Sequence, residues 1–177
     1  ITQGTPLSLF TLPASFKFLG QGALWGIPFV IILFFVLVAL FDFLLRKATL
    51  FRKVFYTGSN ERAAAYSGIN INRIKLWVTV LTSTLAGVAG IIYMARLGSA
   101  TPTFGVGMEL NVIAAAVIGG ASLKGGTGSI LGAVLGVALL SIVTSSLILI
   151  NVSVYWQDLI KGLILLAAVS IDHLLNK

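Results

Sequence analysis

The stretch "IPFVIILFFVLVALFDFLL", residues 27 to 45, decides the class of fold. It contains a single charged side chain, Asp42, which lies near its end. A helix of about 20 apolar residues crosses the hydrocarbon core of a bilayer, and this stretch has that length. Pro28 falls in its first turn, where a missing backbone N–H is tolerated. The stretch therefore predicts a transmembrane helix.

Further apolar runs follow along the chain. Three have the length of a span: "LWVTVLTSTLAGVAGIIYM" (76–94), "ILGAVLGVALLSIVTSSLILI" (130–150) and the run from about Tyr155 to Leu175. The run "ELNVIAAAVIGGASL" (109–123) is too short for an untilted span. It forms either a short helix buried among others or a re-entrant segment. We expect an all-α membrane protein, a polytopic helix bundle with about five membrane segments.

Composition supports the membrane interpretation and excludes several functions. Apolar residues make up 58 % of the chain and charged residues 10 %, whereas soluble domains carry about 25 % charged residues. The absence of cysteine excludes disulfides and thiolate metal sites. His173 is the sole histidine, so we expect no metal site. The net charge is +7, but no basic surface is interleaved with exposed aromatics, and we expect no nucleic-acid partner.

The glycine-rich stretch "GGASLKGGTGS" (119–129) resembles a phosphate-binding loop only superficially. A phosphate loop needs Gly-Lys-Ser/Thr after a strand, whereas here Lys124 precedes Gly125 and no strand is predicted. We interpret the stretch as a tight turn between two membrane helices. No serine, histidine and carboxylate cluster is evident, so we predict no catalytic residue and no cofactor.

The distribution of charge predicts the orientation. Excess Lys and Arg mark cytoplasmic loops, and seven of the twelve basic residues lie in the loop 46–75: Arg46, Lys47, Arg52, Lys53, Arg62, Arg73 and Lys75. This loop is therefore predicted to be cytoplasmic. Lys17, Arg96 and Lys161 then fall outside. Lys124 and Lys177 fall inside, with a cytoplasmic C-terminus, provided that segment 109–123 crosses; a re-entrant segment reverses the C-terminus.

Within that loop, "TGSNERAAAYSG" (57–68) predicts a short helix. Asn60 caps its start, Glu61 suits the helix dipole and the following alanines propagate it. Gly68 ends it in a left-handed conformation. A helix of about seven residues is marginal in water. The ends of the spans or a partner protein must therefore hold it.

Small and polar residues mark the other spans. Gly128, Gly132 and Gly136 recur at intervals of four, which predicts one face of close helix packing. Hydroxyl residues interrupt two spans and are expected to bond their own helix backbone; they are Thr79, Thr82, Ser83, Thr84, Ser141, Thr144, Ser145 and Ser146. Glu109 and Asn111 open the short third segment. They either cap it or contact a polar solute.

Three stretches together resemble the C-terminal half of the ribose-type ABC importer permeases: "GSNERAAAYSGININRIK", "ARLGSATPTFGVGMELNVIAAAVIGGASLKGGTGSILGAVLG" and "YWQDLIKGLILLAAVSID". These bacterial inner-membrane proteins import ribose, xylose, arabinose, galactose and related sugars. The resemblance runs from about Gly20 to Asp172. The chain begins with Ile and a loop-like stretch, "ITQGTPLSLFTLPASFKFLGQG". Residues 1–177 are thus expected to be the C-terminal part of one permease domain in a longer polypeptide.

The resemblance implies a set of partners. Such a permease pairs with a second permease, identical or paralogous, within membrane lipid. A cytoplasmic ABC ATPase drives it, and an extracytoplasmic protein delivers the sugar. The short cytoplasmic helix would dock in the ATPase, through Asn60, Glu61, Ala63, Ala64, Ser67 and Gly68. The wider importer class has a Glu-Ala-Ala…Gly loop, and aligning its glycine to Gly68 puts Arg62 at the Glu position, so this sequence departs from the wider pattern there.

The resulting prediction is a multi-pass permease subunit, not itself an enzyme, of an ATP-driven monosaccharide importer. The residues expected to line the translocation path are Thr84, Glu109, Asn111 and Ser141. Other members of this class import branched-chain amino acids, nucleosides or autoinducer-2. No clear pair of buried charges is evident, which favours a neutral solute. A scaffold or small channel that works without ATP is the alternative from a different class.

Overall fold

The computed structural model describes residues 7–8 and 14–175, with side chains described for residues 15–170. The described residues form eight helices and four strands of two residues each. The helices are α1 (Ala14–Gln21), α2 (Phe29–Lys47), α3 (Thr49–Ser59), α4 (Glu61–Tyr66), α5 (Ile71–Leu97), α6 (Met108–Ile118), α7 (Ile130–Leu149) and α8 (Val154–Leu175). The strands are β1 (Leu7–Ser8), β2 (Ala23–Leu24), β3 (Ile27–Pro28) and β4 (Ser99–Ala100).

Three of the described helices are both long enough and apolar enough to cross a membrane: α2, α5 and α7. They coincide with three of the predicted spans and confirm the polytopic helical class. The fifth predicted segment coincides with α8, which has 22 residues. The side chains of residues 171–175, including His173, lie outside the described part. The count of five membrane segments stays a prediction.

The chain divides into two compact units, and the first comprises residues 1–41 and 72–106. Helix α1 packs against the end of α5: a Cβ on Gly20 would overlap the backbone of Ala95, and the Gln21 amide donates to the Arg96 carbonyl at 3.2 Å. The prediction of a loop was therefore wrong for residues 14–21. The positions of residues 1–6 and 9–13 lie outside the description.

A tight hairpin precedes α2 in the same unit. Strands β2 and β3 pair antiparallel, and the two turn residues, Trp25 and Gly26, both have positive φ, 55° and 81°. Two positive φ values are the signature of a type I′ turn. Pro28 therefore lies in β3, directly before α2, and not in the first helical turn as predicted. The correction is small, because proline still precedes the first N–H that the helix uses.

The second unit comprises residues 42–71 and 107–177. Its core joins α6, α7 and α8. Ala114, Ala115 and Leu140 are buried, and Ile164 and Leu165 pack against them. Helix α6 has 11 residues and is about 16 Å long, well short of the ~30 Å hydrocarbon core. The third predicted segment is therefore a short helix packed among others, and residues 119–129 form a loop rather than its end.

The predicted loop 46–75 contains more helix than its sequence suggested. Helix α3 occupies Thr49–Ser59, and α5 begins at Ile71. Both were expected to be loop. The apolar residues of α3 are Leu50, Phe51, Val54 and Phe55, which recur at helical spacing around Arg52 and Lys53. The density of positive charge concealed this amphipathic pattern.

Candidate functional site

The start of α4 is built as the sequence predicts. The Asn60 side chain accepts a hydrogen bond from the Ala63 N–H at 3.0 Å, while its own backbone is extended, with φ −156°. This is the geometry of a helix N-cap. Glu61 lies in the first turn, where a carboxylate complements the helix dipole.

The end of α4 is closed by a Schellman motif. Gly68 has φ +79° and donates to the Ala65 carbonyl, and Ile69 donates to the Ala64 carbonyl, both at 3.0 Å. These two bonds satisfy carbonyls that the last turn leaves free. The Ser67 hydroxyl adds a bond to the Ala63 carbonyl at 3.0 Å. A six-residue helix is thus fixed at both ends by its own sequence.

A groove of about 370 Å³ lies between α3 and α4. We call it the α3–α4 groove. The residues that line it are Tyr56, Ser59, Asn60, Ala63, Ala64, Ser67 and Ile69. Four of the six predicted docking residues line it, whereas Glu61 and Gly68 flank it at the ends of α4. Ala64 is buried, and the nearby Tyr66 is 91 % exposed. The sequence interpretation missed Tyr56 and Ser59, because it did not include α3, and it also missed Ile69, which follows α4.

The end of α3 lies close against the backbone of the glycine-rich loop. A Cβ on Gly58 would lie 2.6 Å from the Gly126 nitrogen, and a Cβ on Gly126 would lie 2.8 Å from the Ser59 Cα. Gly125 and Gly126 also have positive φ, +88° and +81°. Both the conformation and the close approach therefore require glycine. We call this junction of Gly58 and Ser59 with Gly125 and Gly126 the glycine contact.

A second set of glycines holds α6 against α7. A Cβ on Gly136 would overlap the Ala115 carbonyl oxygen, and a Cβ on Gly132 would overlap the Gly119 carbonyl oxygen. Such contacts let helix backbones approach closely. Gly128 does not belong to this face, contrary to prediction. It lies in the loop, because Ser129 caps α7 by accepting from the Gly132 N–H at 3.0 Å.

A cavity of about 390 Å³ lies among α6, α7 and α8. Its lining residues are Met108, Asn111, Val112, Ala115, Val137, Leu140, Ser141, Thr144, Ser145 and Lys161. The predicted path residues Asn111 and Ser141 lie together in it. Glu109 and Thr84 are not among its lining residues. The polar residues recur on α7 at Ser141, Thr144 and Ser145, a helical spacing already visible in the sequence.

Neither Glu109 nor Asn111 caps α6. The N-cap is Gly107, with φ +79°, and no side chain bonds the first turn. The capping alternative was therefore wrong, because the left-handed glycine turns the chain into the helix without a side-chain acceptor. Thr84 bonds its own helix backbone, as expected for hydroxyl residues within a span: its hydroxyl donates to the Val80 carbonyl at 2.8 Å.

Lys161 brings a positive charge to the cavity from α8. Its ammonium lies 3.3 Å from the Asp158 carboxylate, one turn earlier, and 21 % of its side chain is exposed against 67 % for Asp158. The sequence interpretation treated Lys161 only as a charge near the end of a span. The sequence interpretation did not recognise that Lys161 lines the same cavity as the α7 hydroxyls, because α7 and α8 come together only in the fold.

Comparison with known proteins gives a consistent result. A family model described as "Branched-chain amino acid transport system / permease component" matches residues 2–169. The xylose transport system permease protein of Haemophilus influenzae is 41 % identical over 169 residues, covering 92 % of this chain and 45 % of that protein. The ribose import permease protein of Escherichia coli is 40 % identical over 174 residues, covering 97 % and 54 %.

The L-arabinose transport system permease protein of Escherichia coli is 40 % identical over 163 residues, covering 92 % of this chain and 50 % of that protein. The chain thus spans about half the length of the curated relatives it matches. No solved structure matches it.

Proposed function

The chain belongs to the family of permease components just described, which includes sugar ABC permeases, and from that membership we propose that it is part of the permease of an ATP-driven monosaccharide importer. The observation that carries the proposal is the identity of 40–41 % to permeases named for xylose, ribose and arabinose. Relatives of this kind are multi-pass inner-membrane transport subunits. ATP hydrolysis is then the work of a separate subunit.

The docking surface for the ATPase is the α3–α4 groove, with Asn60, Ala63, Ala64 and Ser67 in its wall and Glu61 and Gly68 at its ends. Support comes from its construction: α4 is fixed by its own caps and leaves a concave surface beside it. A partner side chain inserted there would contact two helices at once. A force that the partner applies to α4 would then be transmitted to α3, which packs against it.

The glycine contact offers a route from the docking surface to the membrane helices. Gly58 approaches the Gly126 backbone directly. Because close packing resists compression, a displacement of α3 would be transmitted to the loop. The loop leads directly to Ser129, the cap of α7. Movement at the docking surface would therefore shift α7 and the cavity that it lines, as alternating access requires.

The same contact supports the proposed orientation. It joins the loop 119–129, which contains Lys124, to the end of α3, which is part of the basic loop 46–75. Helices α7 and α8 are joined by residues 150–153, and so short a connection makes them antiparallel. The end of α8 then returns to the same side. By the excess of Lys and Arg, that side is the cytoplasm.

Association with the ATPase tests this proposal. The full-length permease is captured together with its candidate ATPase, as wild type and as Ala64→Glu and Gly68→Trp. We expect both variants to lose the ATPase, because Ala64 is buried in the groove and Gly68 has a left-handed backbone. Ala65→Glu is the matched control, since Ala65 is exposed and does not line the groove.

Three outcomes separate the alternatives. Loss in Ala64→Glu but not in Ala65→Glu supports docking in the groove. Equal loss in both indicates a charge effect on the whole surface. An ATPase that never binds, or that tolerates every change in full-length folded protein, removes the importer proposal and favours a scaffold or a channel.

A second candidate function is import of a branched-chain amino acid, which the description of the matching family favours. Stimulation of ATP hydrolysis in the reconstituted importer distinguishes the two. Each solute is added with its own binding protein, and ribose, xylose or arabinose is compared with leucine. Stimulation by leucine alone would contradict the sugar proposal.

A further inference from the structure

We propose that the cavity among α6, α7 and α8 is a binding site for a neutral polyhydroxylated solute, held by the side chains of Asn111, Ser141, Thr144, Ser145 and Lys161. The inference rests on the proposed function and goes beyond it. A translocation path needs only to be open, whereas this cavity has the donors and acceptors of a site.

The threonine hydroxyls of α5 and the three hydroxyls of α7 that line the cavity behave differently. On α5, Thr79, Thr82 and Thr84 each donate to the carbonyl four residues earlier, at 2.8–2.9 Å. On α7, the structure gives Ser141, Thr144 and Ser145 no side-chain hydrogen bond among the described residues. Bonding to the helix backbone is the usual arrangement for such residues. The α7 hydroxyls therefore retain their full capacity to donate and accept.

That capacity is concentrated in one place. The three hydroxyls and the Asn111 amide all line the same cavity, and the Asn111 side chain forms no hydrogen bond among the described residues. Unsatisfied polar groups in a membrane segment are unfavourable, and in transport proteins they mark the solute pathway. A sugar presents several adjacent hydroxyl groups, each both donor and acceptor, which match this set.

The charge in the cavity favours a neutral solute over an acid. Lys161 alone would attract a carboxylate. The Asp158 carboxylate, 3.3 Å from its ammonium, balances that charge. The pair then offers an N–H donor to a hydroxyl oxygen without a net positive charge. An amino acid would need a carboxylate and a cation as partners, and no second charged side chain lines the cavity.

The size and the walls of the cavity agree with this class. Its volume of about 390 Å³ lies in the range of small-molecule sites, about 300–1,000 Å³. Ala115 and Leu140, both buried, form an apolar floor. Few polar groups around an apolar base are the usual composition of such sites.

The cavity also lies away from the glycine contact. Its lining residues lie at 108–115 on α6 and 137–145 on α7, with Lys161 from α8. The glycine contact adjoins the end of α6 and the start of α7. The cavity and the glycine contact are therefore separate parts of the same unit.

Equilibrium binding tests the proposal. The full-length permease–ATPase complex in lipid nanodiscs, without the binding protein, is titrated with radiolabelled D-ribose, D-xylose and L-arabinose as separate probes. Leucine and D-galacturonate serve as the zwitterionic and acidic probes. For Thr144→Val and Ser145→Ala we expect affinity for the best neutral sugar to fall roughly 3- to 10-fold each, the effect of one hydrogen bond. Thr82→Val is the matched control, because its hydroxyl bonds its own helix.

Uptake by the complete importer is measured in parallel and separates failure of the site from failure of the function. Sugar uptake without measurable binding, or binding that Thr144→Val and Ser145→Ala leave unchanged, overturns the site and leaves the importer. A cavity-dependent preference for leucine or D-galacturonate overturns the neutral class. No sugar uptake with any probe, but uptake of leucine, overturns the monosaccharide function and this site together. Loss in Thr82→Val equal to that in Thr144→Val shows a packing effect and contradicts the proposal.

Discussion

The two ends of the α6–α7 pair are built on opposite principles. At one end, Gly132 and Gly136 bring α7 against the backbone of α6, where a single added methyl group has no room. At the other end, Ser141, Thr144 and Ser145 line an open cavity, and their side chains form no hydrogen bond among the described residues. The same two helices are thus in close backbone contact at Gly132 and Gly136 and line a cavity near Ser141, Thr144 and Ser145.

The difference indicates how a short helix bundle can combine conformational change with the binding of a solute. A junction of backbone atoms has no side-chain rotamers that could absorb a displacement. It therefore transmits movement from one helix to the other, because close packing resists compression. A cavity with unbonded hydroxyls can exchange partners at little cost, since water or a solute can take the same positions. Conformational change and recognition therefore fall on separate ends of one element.

The largest expected effect is loss of the junction. In Gly136→Ala the new methyl group would overlap the Ala115 carbonyl oxygen, so α6 and α7 must separate. We expect a loss of about 1–3 kcal/mol in the free energy of unfolding, the usual effect of overpacking. The measurement is SDS-titrated unfolding of the full-length permease.

Ser141→Ala on the same helix provides the contrast. Its side chain is exposed to the cavity, so we expect a change within about 0.5 kcal/mol. Gly90→Ala is the control for glycine replacement, because a Cβ there meets nothing within 4 Å. If Gly136→Ala is as stable as Gly90→Ala, the two ends do not differ in the way described.

How far the sequence predicted this molecule depends on whether the signal was local. The spans at α2, α5 and α7 and the caps of α4 follow from runs and from single residues such as Asn60 and Gly68, and the structure confirms them. Helix α3 was missed, because its positive charges indicated a loop. Gly128 was misplaced, since its spacing continued a pattern that the Ser129 cap interrupts.

The candidate sites were predicted only in part, for a different reason. Asn111 and Ser141 were chosen as polar residues in apolar runs, and the fold brings them together. Lys161 and the glycine contact were not recognised. Both depend on residues far apart in sequence, Gly58 with Gly126 and Lys161 with Thr144, and no local pattern reports such pairs.

A smaller effect is expected at the glycine contact. In Gly58→Ala the methyl group would lie 2.6 Å from the Gly126 nitrogen, and the loop must shift. We expect ATP-driven sugar uptake to fall about 10-fold, corresponding to ~1.4 kcal/mol in the transport barrier, while the ATPase still binds. Uptake into proteoliposomes and co-purification are measured on the same preparation.

Gly162→Ala controls for the substitution itself, because a Cβ on Gly162 meets nothing within 4 Å. Loss of uptake together with loss of the bound ATPase would place the effect at the docking surface instead. Uptake equal to wild type would mean that the tight end of α6–α7 is not moved through this contact.

The smallest effect concerns the cap that positions the docking helix. Asn60→Ala removes the acceptor for the Ala63 N–H and should lower the stability of α4 by about 1 kcal/mol. Because α4 has six residues, that loss frays much of it, and affinity for the ATPase should fall about 5-fold, the factor for ~1 kcal/mol. Asn60→Asp keeps an acceptor and should bind like wild type, as measured by surface-immobilised titration. If both variants bind alike, α4 is held by its packing on α3 rather than by its cap, and the groove rather than the helix end governs docking.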